Sequence, residues 1–394
     1  MAIKQLSEEQ FDERMALSQF AFQFRMSEAD LESRKRKWRP EHDWGYFDES
    51  GRLLSAVTVI PFETWIHGRK LAMGGVAGVA TWPDARRQGC VRKLLAHSLE
   101  EMKKAGQTVS MLYPFSFAFY RAYGWELTIE RKQYTLANGQ LPKRVDVPGR
   151  VSRPAKPDLA TLNAIYETYA SRYSGMLARS DEWWTEKYLS KAGTCAVYEN
   201  ESGKPEGYLL YDVKDRKLTV HDWANVSEPA RAALWTYIAN HDSMIEETTL
   251  TVPIDDPLTF LLADPRIKQE IVPYFMSRIV DAEAFVKMYA WEPGSEGEAV
   301  ALRLTDAHAA WNDGTFKLNW DAGGKAGLER ITAEEAVATE ACIACDIQTL
   351  TAMLLGNRRP SFLREVGRVA GDDLAIARLE RRIPVRTTSL MDFF

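Results

Sequence analysis

The stretch from Gly74 to Gly124 constrains the fold of this chain more than any other. An apolar run of strand type (Val76, Ala77, Val79, Ala80) is closed by Trp82-Pro83-Asp84. It is followed by Arg86-Arg87-Gln88-Gly89-Cys90-Val91. Beyond that loop, Leu94, Leu95, Leu99 and Met102 fall on one face of a predicted helix. A basic, glycine-containing loop therefore joins a strand to a helix N-terminus. The first helical amides have no partner there and the helix dipole is positive, which suits a phosphate. Gly89 lets the backbone come close to such an anion. A second strand, Val109 to Tyr113, leads to Phe119-Tyr120-Arg121-Ala122-Tyr123-Gly124-Trp125, an aromatic cluster ending in a turn. A phosphate cradle, a strand and a tyrosine, in that order, describe a transferase site for a phosphorylated co-substrate.

The chain has 394 residues, 45% hydrophobic and 27% charged, enough for two or three domains of ordinary globular character. No apolar run approaches the ~18 residues of a membrane helix. The N-terminus, Met1-Ala2-Ile3-Lys4-Gln5, lacks the apolar core of a signal peptide. A cytoplasmic protein with no membrane partner is expected. A net charge of −5 argues against a nucleic-acid partner and suits a cationic substrate. Four cysteines do not make a disulfide framework. Cys342 and Cys345 form a CxxC inside a predicted helix over 332–355, with no second pair nearby; they read as two cysteines on one helical face, and no metal is expected. Cys90, beside Arg86 and Arg87 at a helix start, is expected to have a lowered pKa. With no base partner in the nearby sequence, it reads as a small loop residue.

Ser7 and Gln10 have capping-box spacing and open a first helix through Phe11, Met15 and Leu17. A second helix, Glu28 to Trp38, stops at Pro40. Strands follow at Trp44 to Phe47, Leu53 to Pro61 and Lys70 to Met73. The strand–loop–helix–strand comes next, and a strand from Arg131 to Leu136 closes the unit. Residues 1–145 form a first α/β (α+β) domain, and Pro142 to Pro157 reads as a linker. Residues 146–283 repeat the pattern weakly, with strands at Leu218 to Trp223 and Thr248 to Val252 around a helix from Pro229 to Asn240. Their loop, Asn225-Val226-Ser227-Glu228-Pro229, has no Arg-Gly pair and carries a Glu that repels phosphate. Residues 284–394 form a third unit, with strands at Ala299 to Leu304 and Thr315 to Trp320. Its last residues, Phe393 and Phe394, are expected to be buried.

Arg86-Arg87-Gln88-Gly89-Cys90-Val91 resembles the acetyl-CoA loop [RQ]-x-x-G-x-[GA] of GNAT N-acetyltransferases, departing at Val91. Phe119-Tyr120-x-x-Tyr123-Gly124-Trp125 resembles the [FY]-Y-x-x-x-G-[FYW] segment that follows their fifth strand. The whole chain is similar to the Eis (enhanced intracellular survival) family. That resemblance implies tandem GNAT domains, the first active and the second degenerate, and a C-terminal sterol-carrier-protein-like α+β domain. It implies acetylation of amines of aminoglycosides at more than one position, and a homo-oligomer, a hexamer. Carried over by residue, it places acetyl-CoA contacts on Val79, Ala80 and Thr81, on Arg87, Gln88, Gly89, Cys90, Val91 and Arg92, and on Phe115 and Ser116. It makes Tyr120 the general acid and the C-terminal carboxylate on Phe394 the general base.

The chemistry these residues would perform is attack of an amine on a thioester. Backbone amides near Val79 to Thr81 would hold the developing oxyanion. A tyrosine stays neutral near pH 7 and can protonate the leaving thiolate. An α-carboxylate with an ordinary pKa near ~3.5 is a poor match for an amine, so Phe394 is expected to anchor a cationic substrate at least as much as to act as base. Tyr123 reads as core. A polycationic substrate calls for carboxylates and aromatics, for which Phe22, Phe24, Trp38 and Asp392 are candidates. The alternatives are a lysine N-acetyltransferase acting on proteins or peptides, and a lipid-binding carrier using the third domain.

Overall fold

A computed structural model of the chain describes residues 2–190, 193–295, 297–339 and 341–394. Met1, Lys191, Ala192, Glu296 and Glu340, the last inside the expected 332–355 helix, lie outside the described residues. The first third runs β1 (Ala2–Gln5), α1 (Phe11–Phe22), α2 (Glu28–Lys37), β2 (Asp43–Phe47), β3 (Leu53–Ile66), β4 (Arg69–Thr81), α3 (Cys90–Lys104), β5 (Val109–Leu112), α4 (Phe117–Arg121) and β6 (Glu126–Ala137). The second runs β7 (Arg150–Ser152), α5 (Leu159–Ala170), β8 (Leu177–Ala178), α6 (Asp181–Trp183), β9 (Thr194–Glu199), β10 (Pro205–Lys214), β11 (Lys217–Asn225), α7 (Glu228–Ala239), β12 (Glu247–Pro253), α8 (Leu258–Leu261) and β13 (Lys268–Ile279). The last runs α9 (Ala282–Met288), β14 (Ala299–Thr305), β15 (Gly314–Trp320), β16 (Ala326–Arg330), α10 (Ala333–Ala338), β17 (Cys342–Asp346), α11 (Ile347–Leu354), α12 (Pro360–Glu365), β18 (Ala370–Gly371) and α13 (Asp373–Arg382). Among the described residues, no helix is long and apolar enough to cross a membrane.

The first two units share one 13-stranded sheet, ordered β1-β2-β3-β4-β5-β13-β6-β12-β11-β10-β9-β7 with β8 paired to β3. They interlock by exchanging strands. β13 pairs antiparallel with β5 from Ile279↔Val109 to Met276↔Leu112 and lies between β5 and β6. β6 turns its other edge to β12. So β6, expected to close the first domain, spans the seam instead, and the last strand of the second unit completes the sheet of the first. The boundary expected near residue 145 divides the chain, not the sheet. The expected linker also contains β7, which pairs with β9. In both units a parallel strand pair flanks a helix: β4 and β5 around α3, β11 and β12 around α7.

The third unit has a 5-stranded sheet, ordered β16-β15-β14-β17-β18. It docks on the large sheet through one continuous core. Met73, Met111, Ile129, Phe275 and Ile279 cluster with Leu302, Leu350 and Leu354. Each such side chain removed from water contributes about 1.5–3 kcal/mol, so this contact is a true core and not a loose tether. The single helix expected over 332–355 is in fact α10, β17 and α11. Asp346 caps α11, its Oδ1 accepting from the Thr349 amide at 2.8 Å. Cys342 and Cys345 lie in β17, the first exposed and the second buried, not on one helical face.

Candidate active site

The site begins where two parallel strands part. β4 and β5 are paired from Met73↔Val109 to Val76↔Leu112, and then β5 ends while β4 runs on to Thr81. A bulge bends β4 just past that point. Thr58 pairs with Ala77 and Ala56 with Ala80, so Gly78 and Val79 together face Val57. Gly78 has φ +58°, and a Cβ there would lie 2.5 Å from Arg14 Nη2. Only glycine fits that bend without strain. The buried Arg14 guanidinium holds it, donating Nη2 to Gly78 O at 3.1 Å and Nε to Asp43 Oδ1 at 2.8 Å. Thr58 Oγ1 and Trp38 Nε1 also donate to Asp43, at 2.6 and 2.7 Å. A buried ion pair this fully hydrogen-bonded fixes Val79, Ala80 and Thr81 in place.

A single 3-10 turn, Pro83–Ala85, carries the chain from Thr81 into the basic loop. Arg87 has φ +65° and Gly89, the N-cap of α3, has φ +77°. Arg86, Arg87, Gln88 and Gly89 are exposed, and a Cβ on Gly89 would meet nothing within 4 Å. The loop thus opens the first turn of a fifteen-residue helix to solvent, with Arg86, Arg87 and the exposed Arg92 around it. The residues present fit a diphosphate: unhindered amides, a positive helix end and guanidinium groups. Gln88 braces the loop by donating to Asp84 O at 3.0 Å. Val91 is half-buried against the core of this domain. Cys90 is not a loop residue but the first residue of α3, buried with Leu94 and Leu95. Burial raises its thiol pKa, reversing the expected lowering by Arg86 and Arg87.

Past β5 the chain passes Tyr113 and Pro114 to Phe115, 73% exposed, and Ser116, whose Oγ caps α4. Tyr120 lies on α4, 3% exposed, with rings of Phe115, Phe119 and Trp125 at 5.5, 5.1 and 6.4 Å. Burial pushes its pKa up to about 12. Tyr123 is half-buried, its ring 5.0 Å from His308.

The chain end comes back to the same place. The Phe394 ring packs on Phe62 and Phe275 at 4.8 and 4.9 Å. It also covers Gly75, where a Cβ would lie 2.8 Å from Phe394 Cε2. Gly75 is one residue before the last β4–β5 pair, so this ring sits at the parting of the strands. Phe393 packs on Tyr113 at 5.1 Å and is 56% exposed, so the expected burial of the tail holds for Phe394 only in part and fails for Phe393. Asp392 is 1% exposed. Its Oδ1 accepts from Arg179 Nε at 2.9 Å and from Trp183 Nε1 and Tyr188 Oη at 2.8 Å. Its carbonyl accepts from Tyr274 Oη at 2.8 Å. Asp392 is therefore the clamp that holds the tail, not the substrate contact expected of it; a carboxylate this buried, committed to Arg179, Trp183 and Tyr188, does not face a ligand. Trp38, donating to Asp43 and packed 5.4 Å from Phe11, is likewise part of the frame. Phe22 and Phe24 stand 52% and 40% exposed at the end of α1, and Phe24 lines an open hollow of about 540 Å³ with Phe20 and Gln23.

Sequence reasoning passed over Gly75, Arg179 and Arg278. Gly74-Gly75 beside a strand could have marked a close approach. Nothing local marks the two arginines, whose carboxylate partners Asp222 and Asp306 lie 43 and 28 residues away in the chain. In the second unit, the equivalent helix start is closed. Ser227 Oγ accepts from Ala230 N at 3.3 Å and donates to Glu206 Oε2 at 2.7 Å, while Glu228 and Pro229 open α7. Carboxylates and a proline where the first unit has arginines and glycine leave no phosphate cradle.

Three family models match in succession: an acetyltransferase (GNAT) domain over residues 2–128, a second acetyltransferase (GNAT) domain over 175–279, and a sterol carrier protein domain over 282–391. A relative described as an uncharacterized N-acetyltransferase of Streptomyces avermitilis is 23% identical over 87% of this chain and 86% of its own. A solved structure from Enterococcus faecalis, described as a probable N-acyltransferase, is 28% identical with TM-score 0.91, covering 100% of this chain and 99% of that one. Eis1 of Mycobacterium abscessus has the same fold, with TM-score 0.81, 21% identity and 100% coverage of both chains.

Proposed function

We propose that this chain, a GNAT-type N-acetyltransferase with two GNAT domains and a sterol-carrier-protein-like third domain, transfers the acetyl group of acetyl-CoA to an amine of an aminoglycoside-type polycation. The observation that carries this reading is the split between β4 and β5, with the Phe394 ring over Gly75 on one side and Tyr120 clustered with Val76 and Leu112, the last residues paired before the split. Acetyl-CoA supplies an activated acyl thioester. The amides after Gly89 and the Arg87 and Arg92 side chains hold the diphosphate. The backbone of Val79 to Thr81 orients the acyl carbonyl, and the α-carboxylate on Phe394 draws the cationic amine toward it. The ammonium first gives a proton to water by way of that carboxylate; the neutral amine then attacks, a C–N bond forms, the C–S bond breaks, and the thiolate must be neutralised.

Tyr120 supplies that neutralisation in a specific way. Burial holds its pKa up to about 12, above the range of an ordinary thiol, so Tyr120 enters the reaction protonated. The Tyr120 O–H therefore stabilises the departing sulfur as a hydrogen-bond donor. It gives up its proton only as the ammonium formed by attack returns one. Support for a polycationic substrate comes from the net charge of −5 and the likeness to Eis1. The test is a thiol-release assay with acetyl-CoA against aminoglycosides, simple polyamines and lysine peptides. Turnover is expected with the aminoglycosides; turnover with lysine peptides alone would overturn this substrate class.

A further inference from the structure

We infer that the third domain acts in the reaction by holding the Tyr120 helix, with Arg278, His308 and Gln348 as positioning residues; this rests on the role proposed for Tyr120. α4 is a single five-residue turn. The last carbonyls of any helix lack intrahelical donors, and a helix this short has no length to resist fraying. Here three consecutive carbonyls at its C-terminal end are met by side chains from far along the chain. Gln348 Nε2, on α11, donates to Arg121 O at 2.9 Å. His308, after β14, places Nε2 at 2.9 Å from Ala122 O; a carbonyl only accepts, so that nitrogen carries the proton. Arg278 Nη1, on the exchanged strand β13, donates to Tyr123 O.

The arginine is held from the third domain as well. Both Asp306 carboxylate oxygens accept from Arg278 Nη2, at 2.8 and 2.6 Å, and Asn312 Nδ2 also donates to Asp306 at 3.0 Å. Gly124 admits the guanidinium: a Cβ there would lie 1.6 Å from Arg278 Nη1. This gives the glycine of the tyrosine segment a physical purpose. It lets a cation from another domain reach the turn that follows Tyr120. Arg121, on α4 itself, is tied by Glu126 to Arg368 of the third domain. The catalytic geometry of the first domain is thus set from outside it.

The test uses the full chain. Arg278 and Asp306 are fully buried and their variants can fail to fold, so the informative change is H308F together with Q348L. It removes two surface donors and keeps a ring against Tyr123. The expected result is about a tenfold fall in kcat at saturating acetyl-CoA, with the Kd of coenzyme A within about twofold of the parent and thermal unfolding within a few degrees. In the Y120F background the same pair should cost less than about twofold further, because residues acting through one group are not additive. Parental kcat in H308F/Q348L, or an undiminished loss in the Y120F background, overturns the inference. Full activity in Y120F alone instead overturns the acid role from which it starts, and the two failures are told apart by that single variant.

Discussion

Tyr120 is the residue on which the proposed chemistry turns, and its environment sets what can be measured. Its neighbours are rings, and burial raises its pKa to about 12, so it is neutral at physiological pH. Y120F is predicted to lower kcat by about a hundredfold while leaving the KM for acetyl-CoA within about twofold, as initial-rate kinetics would show. The parent enzyme should show no alkaline fall in kcat from this group below about pH 10, the ordinary tyrosine pKa, since burial shifts its titration upward. Gly75 tests the tail in the same way. In G75A the new methyl falls 2.8 Å from Phe394 Cε2 and from Phe62. Overpacking of this kind costs about 1–3 kcal/mol. One of the two rings the methyl meets belongs to Phe394, whose α-carboxylate is proposed to hold the amine, so kcat/KM for the amine should fall more than stability does, with acetyl-CoA affinity unchanged by calorimetry.

Among the elements, the loop before α3 and the bulge in β4 divide the work of holding a co-substrate in the proposed reaction. Gly89 has a left-handed backbone and open space above it. G89V is therefore predicted to strain the loop and to weaken coenzyme A binding by about tenfold in calorimetry, since a β-branched residue at positive φ is a true outlier. Saturating turnover should be little changed. This loop was readable from sequence because everything that defines it is local: a strand, two arginines, a glycine and an amphipathic helix. The Tyr120 segment was readable for the same reason. The exchange of β6 and β13 was not, because the alternation within a strand says which face is buried but not which strand lies beside it. The split of the 332–355 segment was missed for a different reason. The segment reads as one periodic helix, yet Ile343 and Cys345 are buried while Cys342 is exposed, an alternation of period two. Asp346, three residues before Thr349, carried a cap signal that was passed over. Asp392 was assigned to the substrate because an acidic residue near the tail suits a cation; Arg179, the partner that claims it, lies 213 positions away.

Across the whole molecule, the three units are joined where the first domain's β3–β4 turn meets both others. His67 in that turn is buried. Its Nε2 meets Leu354 O at 2.8 Å, Ser174 Oγ donates no closer than 3.5 Å to its Nδ1, and Tyr289 packs on its ring at 5.0 Å. Burial holds its pKa down to about 4, and Arg386 and Arg359 push the same way against the Leu354 carbonyl. Between pH 6.5 and 4 the unfolded chain binds a proton that the folded chain refuses. Stability should therefore fall as pH drops through that window, by up to about 3 kcal/mol from this residue. Denaturant titrations at several pH values would show it, and H67N should flatten the dependence. The same joining brings the tail of the third domain to the cleft of the first. The most direct measurement of this account is a crystal structure of the full chain with coenzyme A. One molecule per chain is predicted, its diphosphate on the amides that follow Gly89 and its sulfur beside Tyr120 and Phe394. Coenzyme A bound at the α7 end of the second unit, or absent from the β4–β5 split, would contradict it.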